Sequence, residues 1–141
     1  MFAALICTIP LIFCMGYFLM GSLPLLILNH DTPLDAHFIR GLFRIYYLAV
    51  MCTGTLAAAA YAYAGSLPYA AGVAAIVLLA FILRAAVLPH MDALRTRIEN
   101  ADAVAIAEFR RIHITGMAVN FVQLATLIWG LFRAIPGPQL Q

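Results

Sequence analysis

His113, Gly116, Asn120 and Gln123 follow one another at intervals of 3, 4 and 3 residues, so a helix places all four on one face. They lie in an apolar stretch, where polar side chains are costly and turn toward the interior of a bundle. The imidazole offers proton or metal chemistry. The two carboxamides offer interhelical hydrogen bonds, worth about 0.6–2 kcal/mol each. Arg84 lies inside another apolar run, five positions before Pro89, and Arg44 enters a third at similar depth. With His113 they suggest a cationic pocket for an anionic lipid or an acidic small molecule, to which Tyr46, Tyr47 and Asn120 add hydrogen bonds. The competing expectation is that both arginines snorkel to the headgroups.

His30, His37, His90 and His113, with Asp31 and Asp35, are a candidate metal set, because imidazole and carboxylate suit zinc, iron or copper. Their spacing is not that of a compact zinc site. Haem held by two histidines needs rings facing each other across a core, whereas these histidines are expected at one rim. Met15, Met20, Met51, Cys7, Cys14 and Cys52 are soft copper ligands or, more simply, apolar packing. No nucleophile–base motif, phosphate loop or metalloprotease helix is present. A catalytic residue is therefore not assigned.

The elements that must position these residues are membrane helices. The chain has 141 residues, 65% hydrophobic and 10% charged, against roughly 45–50% and about 25% in soluble domains. Mean hydropathy is +1.00. These values exclude a soluble enzyme, a disordered chain and a nucleic-acid binder, and the length fits one domain, 1–141. All eight basic residues are arginine, a bias that fits a GC-rich bacterial source. The three cysteines fall in apolar runs and are odd in number, which argues against a disulfide framework.

Four spans are predicted, at about 2–28, 38–64, 67–98 and 102–133. The first is too long and wrongly flanked for a signal peptide, and Pro10 and Pro24 kink or bound it. Residues 29–36 form a polar break, Gly65-Ser66-Leu67-Pro68 a tight turn, and Pro136-Gly137-Pro138 ends the last helix. Met91, Leu94, Ile98, Ala101, Ala105, Phe109 and Ile112 make one helical stripe. Asp92 with Arg95, Arg95 with Glu99, and Glu108 with Arg111 are spaced for ion pairs. Glu99-Asn100-Ala101-Asp102 has turn and cap chemistry. Helices 3 and 4 are thus expected to extend beyond the hydrocarbon as an antiparallel hairpin; a short helix lying in the interface is the alternative. Small residues at Gly54, Ala58 and Ala62, and at Ala70, Ala74 and Ala71, Ala75, are expected to bring helices 2 and 3 together, with Gly16 and Gly21 serving helix 1 similarly.

With four spans, the termini share a side with the 65–68 turn. That side carries Arg133, and the other carries the remaining seven arginines. Arginine excess marks the cytoplasmic face, so both termini are predicted to be periplasmic. All six acids and all four histidines gather at the same cytoplasmic mouth.

The run Phe109-Arg110-Arg111-Ile112-His113-Ile114-Thr115-Gly116-Met117-Ala118-Val119-Asn120 resembles the F-x-x-x-H-x-x-S-x-x-x-N signature of a family of small four-helix membrane proteins of unknown function. That family includes the platinum-resistance-associated transmembrane protein. Gly116 stands where the family has serine. Phe43-Arg44-Ile45-Tyr46 is similar to the family's F-P-x-Y, with Arg44 in place of proline, and Pro89 falls where the family places a proline. The layout is also similar to that of a second small four-span family, the anthrone-oxygenase-like proteins, whose last helix carries an early histidine.

The reading is an all-α integral membrane four-helix bundle with an extended helix 3–helix 4 hairpin on the cytoplasmic side, in a bacterial inner membrane. Its expected role is that of a non-catalytic accessory subunit of a larger membrane complex. Alternatives are a binding or transport protein for an anion, lipid or metal ion at the Arg/His mouth, and a metal- or haem-dependent enzyme. No cofactor is assigned, though a bound lipid fits. The expected partners are the bilayer and other membrane subunits, not nucleic acid.

Overall fold

The computed structural model describes residues 1–27 and 30–134. Four helices account for nearly all of them: α1 (Phe2–Leu25), α2 (Pro33–Tyr63), α3 (Leu67–Ile98) and α4 (Ala103–Ala134). Each is long and apolar enough to cross a membrane. Neighbours in sequence pack side by side, and α4 closes the ring against α1. This is the up-and-down arrangement that short connections impose on helices.

The helix ends follow local chemistry. The second helix starts at Pro33, several residues before the expected 38. The Thr32 hydroxyl accepts from the Asp35 backbone N–H at 3.2 Å, and Pro33 occupies the first turn, where its missing N–H leaves nothing unpaired. From Pro33 on, the polar break expected over 29–36 is the first turn of α2. At the other end, Gly65 adopts φ +73°, and its N–H and that of Ser66 bond back to Ala62 and Tyr61 at 3.0 Å each. That left-handed residue closes α2 and lets α3 begin at once. The third helix continues through Pro89 to Ile98. Asp102 then caps α4, its Oδ1 accepting from the N–H groups of Val104 (2.9 Å) and Ala105 (3.3 Å). Helix α1 stops at Leu25 rather than 28, with Pro10 and Pro24 both inside it. Residues 28–29 and the Pro136-Gly137-Pro138 terminator lie outside the described residues.

The stripe on the hairpin is buried at Met91, Leu94, Ile98, Ala105 and Phe109, whereas Ala101, in the turn, is exposed. Its ion pairs differ from two of the three expected. Asp92 reaches across to Arg40 of α2 at 2.7 Å, and Glu108 meets His90 of α3 at 2.9 Å. Only Arg95–Glu99 forms within one helix, at 3.8 Å. Neighbouring helices offered closer partners than the i+3 positions did.

The α2–α3 contact is tight at one of the predicted small residues. A Cβ on Gly54 would lie 2.5 Å from Val77 Cγ2. The buried line continues through Ala57 and Tyr61, however, not through Ala58 and Ala62. On α3, Ala70, Val73 and Ala80 are buried while Ala71, Ala74 and Ala75 are exposed. Nor do Gly16 and Gly21 mediate a close approach, since added Cβ atoms there would meet nothing within 4 Å.

Candidate functional site

The polar core is assembled by α4. His113, Asn120 and Gln123 are all buried, as their spacing predicted, and Gly116 lets the helix approach α2. A Cβ on Gly116 would sit 2.5 Å from Phe43 Cε1. The Phe43 ring therefore occupies the space that any larger residue at 116 would need.

Two hydrogen-bonded groups flank this contact. In the first, the Tyr46 hydroxyl donates to Asn120 Oδ1 at 2.9 Å. Asn120 Nδ2 in turn donates to the Met15 carbonyl at 3.0 Å. One carboxamide thus joins α4 to α2 and α1. Phe18 stacks on the Tyr46 ring, centroids 4.0 Å apart, and meets Phe43 edge-on at 5.1 Å. Tyr46 is thereby held in one orientation.

In the second group, His30 Nε2 lies 3.0 Å from His113 Nδ1, and both residues are fully buried. One nitrogen must donate and the other accept, so the facing atoms share a single proton. His30 sits in the α1–α2 connection at φ +62°, a conformation that histidine tolerates better than most residues. Phe109 and Phe43 pack around the pair, with centroids 6.3 Å from His30 and 6.0 Å from His113.

The expectation that the histidines line one rim is therefore corrected for these two, which face each other inside the core. The proposed four-histidine set is distributed over three places. His90 pairs with Glu108 near the surface, and the exposed Arg95–His37 contact has Arg95 Nη1 3.3 Å from His37 Nδ1. Among the described residues, no group of three or more His, Cys, Asp or Glu is arranged to hold a metal ion.

The cationic pocket is likewise dispersed. Arg44 is exposed, Arg84 is half-buried and His113 is in the core. Arg84 lines a groove of about 330 Å³ with Arg40 and Asp92, near Leu88 and Pro89. Of the five residues proposed for ligand binding, the structure brings together Tyr46 and Asn120 directly, with His113 two turns from Asn120 on the other side of Gly116. His30 as the partner of His113, the Met15 carbonyl and the Phe18 platform went unassigned from sequence. Only the lone histidine after the first apolar run signalled any of them.

Asp102 stands at the hairpin tip, outside the spans. Its carboxyl is held below the ordinary 3.8, first by the Arg97 side chain and then by the backbone N–H groups it caps. Arg97 reaches it at 2.7 Å.

Comparison with family models, curated proteins and solved structures finds no match to this chain.

Proposed function

We propose that this chain is a multi-pass protein of the bacterial inner membrane that serves a larger membrane complex as a non-catalytic accessory subunit. The observation that carries the reading is the use of Asn120. Its carboxamide is committed to Tyr46 of α2 and the Met15 carbonyl of α1, which is the work of a helix clasp. His113 similarly ties α4 to the α1–α2 connection through His30. Outside, Phe2, Ile6, Phe13, Tyr17 and Met20 project from α1, and Phe121, Trp129 and Phe132 from α4. Such faces suit lipid or the helices of another subunit.

Two further points support the frame. Arginine excess at the hairpin end supports a cytoplasmic hairpin and periplasmic termini. In addition, Phe43, Tyr46, Phe109, His113 and Asn120, which carry the resemblance to the platinum-resistance-associated family, belong to one buried neighbourhood although they come from two helices. Extraction in mild detergent, followed by blue-native separation and quantitative mass spectrometry, tests the role. A second membrane protein in fixed proportion is expected. A lone monomer with no copurifying protein overturns the reading.

A further inference from the structure

Near the terminal end of the bundle, α3 and α4 part to leave a cavity of about 450 Å³. Its walls are apolar, with Gly72, Leu79 and Gly130 among them, and its polar groups are confined to a few uncharged side chains, chiefly Thr8, Tyr61 and Gln123. The size is that of small-molecule sites, which combine apolar walls with a few orienting polar groups. Among the described residues, no arginine, histidine or carboxylate lines it, so these walls offer nothing to an ionic headgroup.

The polar groups are not equivalent. Thr8 Oγ1 lies 2.9 Å from the Ala4 carbonyl and 3.2 Å from the Tyr61 hydroxyl. With its proton given to the carbonyl, Thr8 accepts from Tyr61, and these two hydroxyls satisfy each other. Gln123 differs. The residue is only 9% exposed, and its buried Nε2 has no hydrogen-bond partner among the described residues. A carboxamide nitrogen carries two N–H donors and accepts nothing. Leaving it unpaired in a region without water is costly.

We infer that this cavity binds a neutral, membrane-soluble molecule whose carbonyl oxygen accepts a hydrogen bond from Gln123, as the ring carbonyl of a lipophilic quinone would, once a half-turn of the carboxamide brings the unpartnered Nε2 to the accessible position of its oxygen. Depth distinguishes this ligand from a phospholipid. Gln123 lies about 16 Å along α4 from its end at Ala134, at 1.5 Å per residue. Ester carbonyls stay at the interface, so only a phospholipid's tail would reach Gln123, and a tail has no acceptor. A free quinone-type molecule carries its carbonyl into the hydrocarbon with it.

The test uses the full chain in phosphatidylcholine nanodiscs, with decylubiquinone as probe and dodecylbenzene as a control of similar bulk without a carbonyl. Saturable binding of one decylubiquinone per chain is expected, with a carbonyl stretch moved to lower frequency than in protein-free nanodiscs. Gln123→Leu is expected to weaken binding about tenfold, the scale of one hydrogen bond, and to abolish the shift. Gly72→Leu fills the cavity, and a Cβ there meets nothing within 4 Å, so this variant is expected to fold and to lose binding. Equal retention of dodecylbenzene, an unshifted carbonyl band, or unchanged binding in either variant overturns the proposal. Failure of decylubiquinone to displace bound phospholipid does so too, and assigns the cavity to acyl chains. None of these outcomes bears on whether the chain copurifies with another subunit.

Discussion

Gly116 shows how one missing methyl shapes the core. The Phe43 ring stands 2.5 Å from where a Cβ would be, and it is wedged between Phe18 and Tyr47. A buried ring so enclosed cannot swing aside without repacking its neighbours. Both Gly116→Ala and Gly116→Ser should destabilise the bundle, by about 1–3 kcal/mol as overpacking typically does; thermal unfolding in detergent measures this. An unchanged midpoint would mean that Phe43 has another place to go. The resembled family's serine is thus incompatible with Phe43 as it sits here. Asn120 acts by attraction instead. Asn120→Leu removes both of its bonds and strands the Tyr46 hydroxyl, and should cost about 1–2 kcal/mol. Tyr46→Phe should cost less. A double-mutant cycle in mixed micelles should show the pair coupled, and strictly additive losses would contradict the bond seen here.

At the scale of elements, what could be read ahead was what depends on neighbours along the chain. The face carrying His113, Asn120 and Gln123 follows from helical period alone, and the turn at 99–102 from residues that favour caps. The His30–His113 pair could not be foreseen this way. It joins positions 83 apart and depends on one left-handed backbone residue turning a loop side chain into the bundle. Arg40–Asp92 is similar, because spacing proposed a partner within the helix and tertiary packing supplied a better one. The cap on α4 is local and carries a pH signature. The Asp102 carboxyl is held below 3.8, so it helps the folded hairpin fully above that pH. The contribution fades as pH falls through the lowered value, when a protonated carboxyl no longer attracts Arg97. Thermal stability should therefore drop on acidification below about pH 4, and Asp102→Ala should flatten that part of the profile. An identical acid limb in the variant would show that other groups control it. The partly exposed setting keeps the effect small.

At the scale of the molecule, charge and length together give the expected seating of the bundle in a bilayer. Arg111 and Arg133 bracket the uncharged part of α4, about 33 Å apart at 1.5 Å per residue, close to the ~30 Å hydrocarbon thickness. Trp129, exposed and lying 5.2 Å beneath the Arg133 guanidinium, suits one interface. At the other end lie Arg40–Asp92, His90–Glu108, Arg95–Glu99 and Arg97–Asp102, a set of polar contacts that water tolerates and lipid does not. The tip of the α3–α4 hairpin should then stand in water. Met1 and the 65–66 turn share the opposite end, where the Ser66 hydroxyl reaches Met1 Sδ at 3.5 Å. Cysteine labelling separates the two ends once Cys7, Cys14 and Cys52 are replaced by alanine. In spheroplasts, a membrane-impermeant maleimide should label Ser66→Cys, while Asn100→Cys should react only after lysis. The reverse pattern would invert the bundle and set aside the arginine argument. Labelling of both sites from one side would break the antiparallel four-span arrangement itself, because two positions at opposite ends of one membrane helix cannot share a compartment.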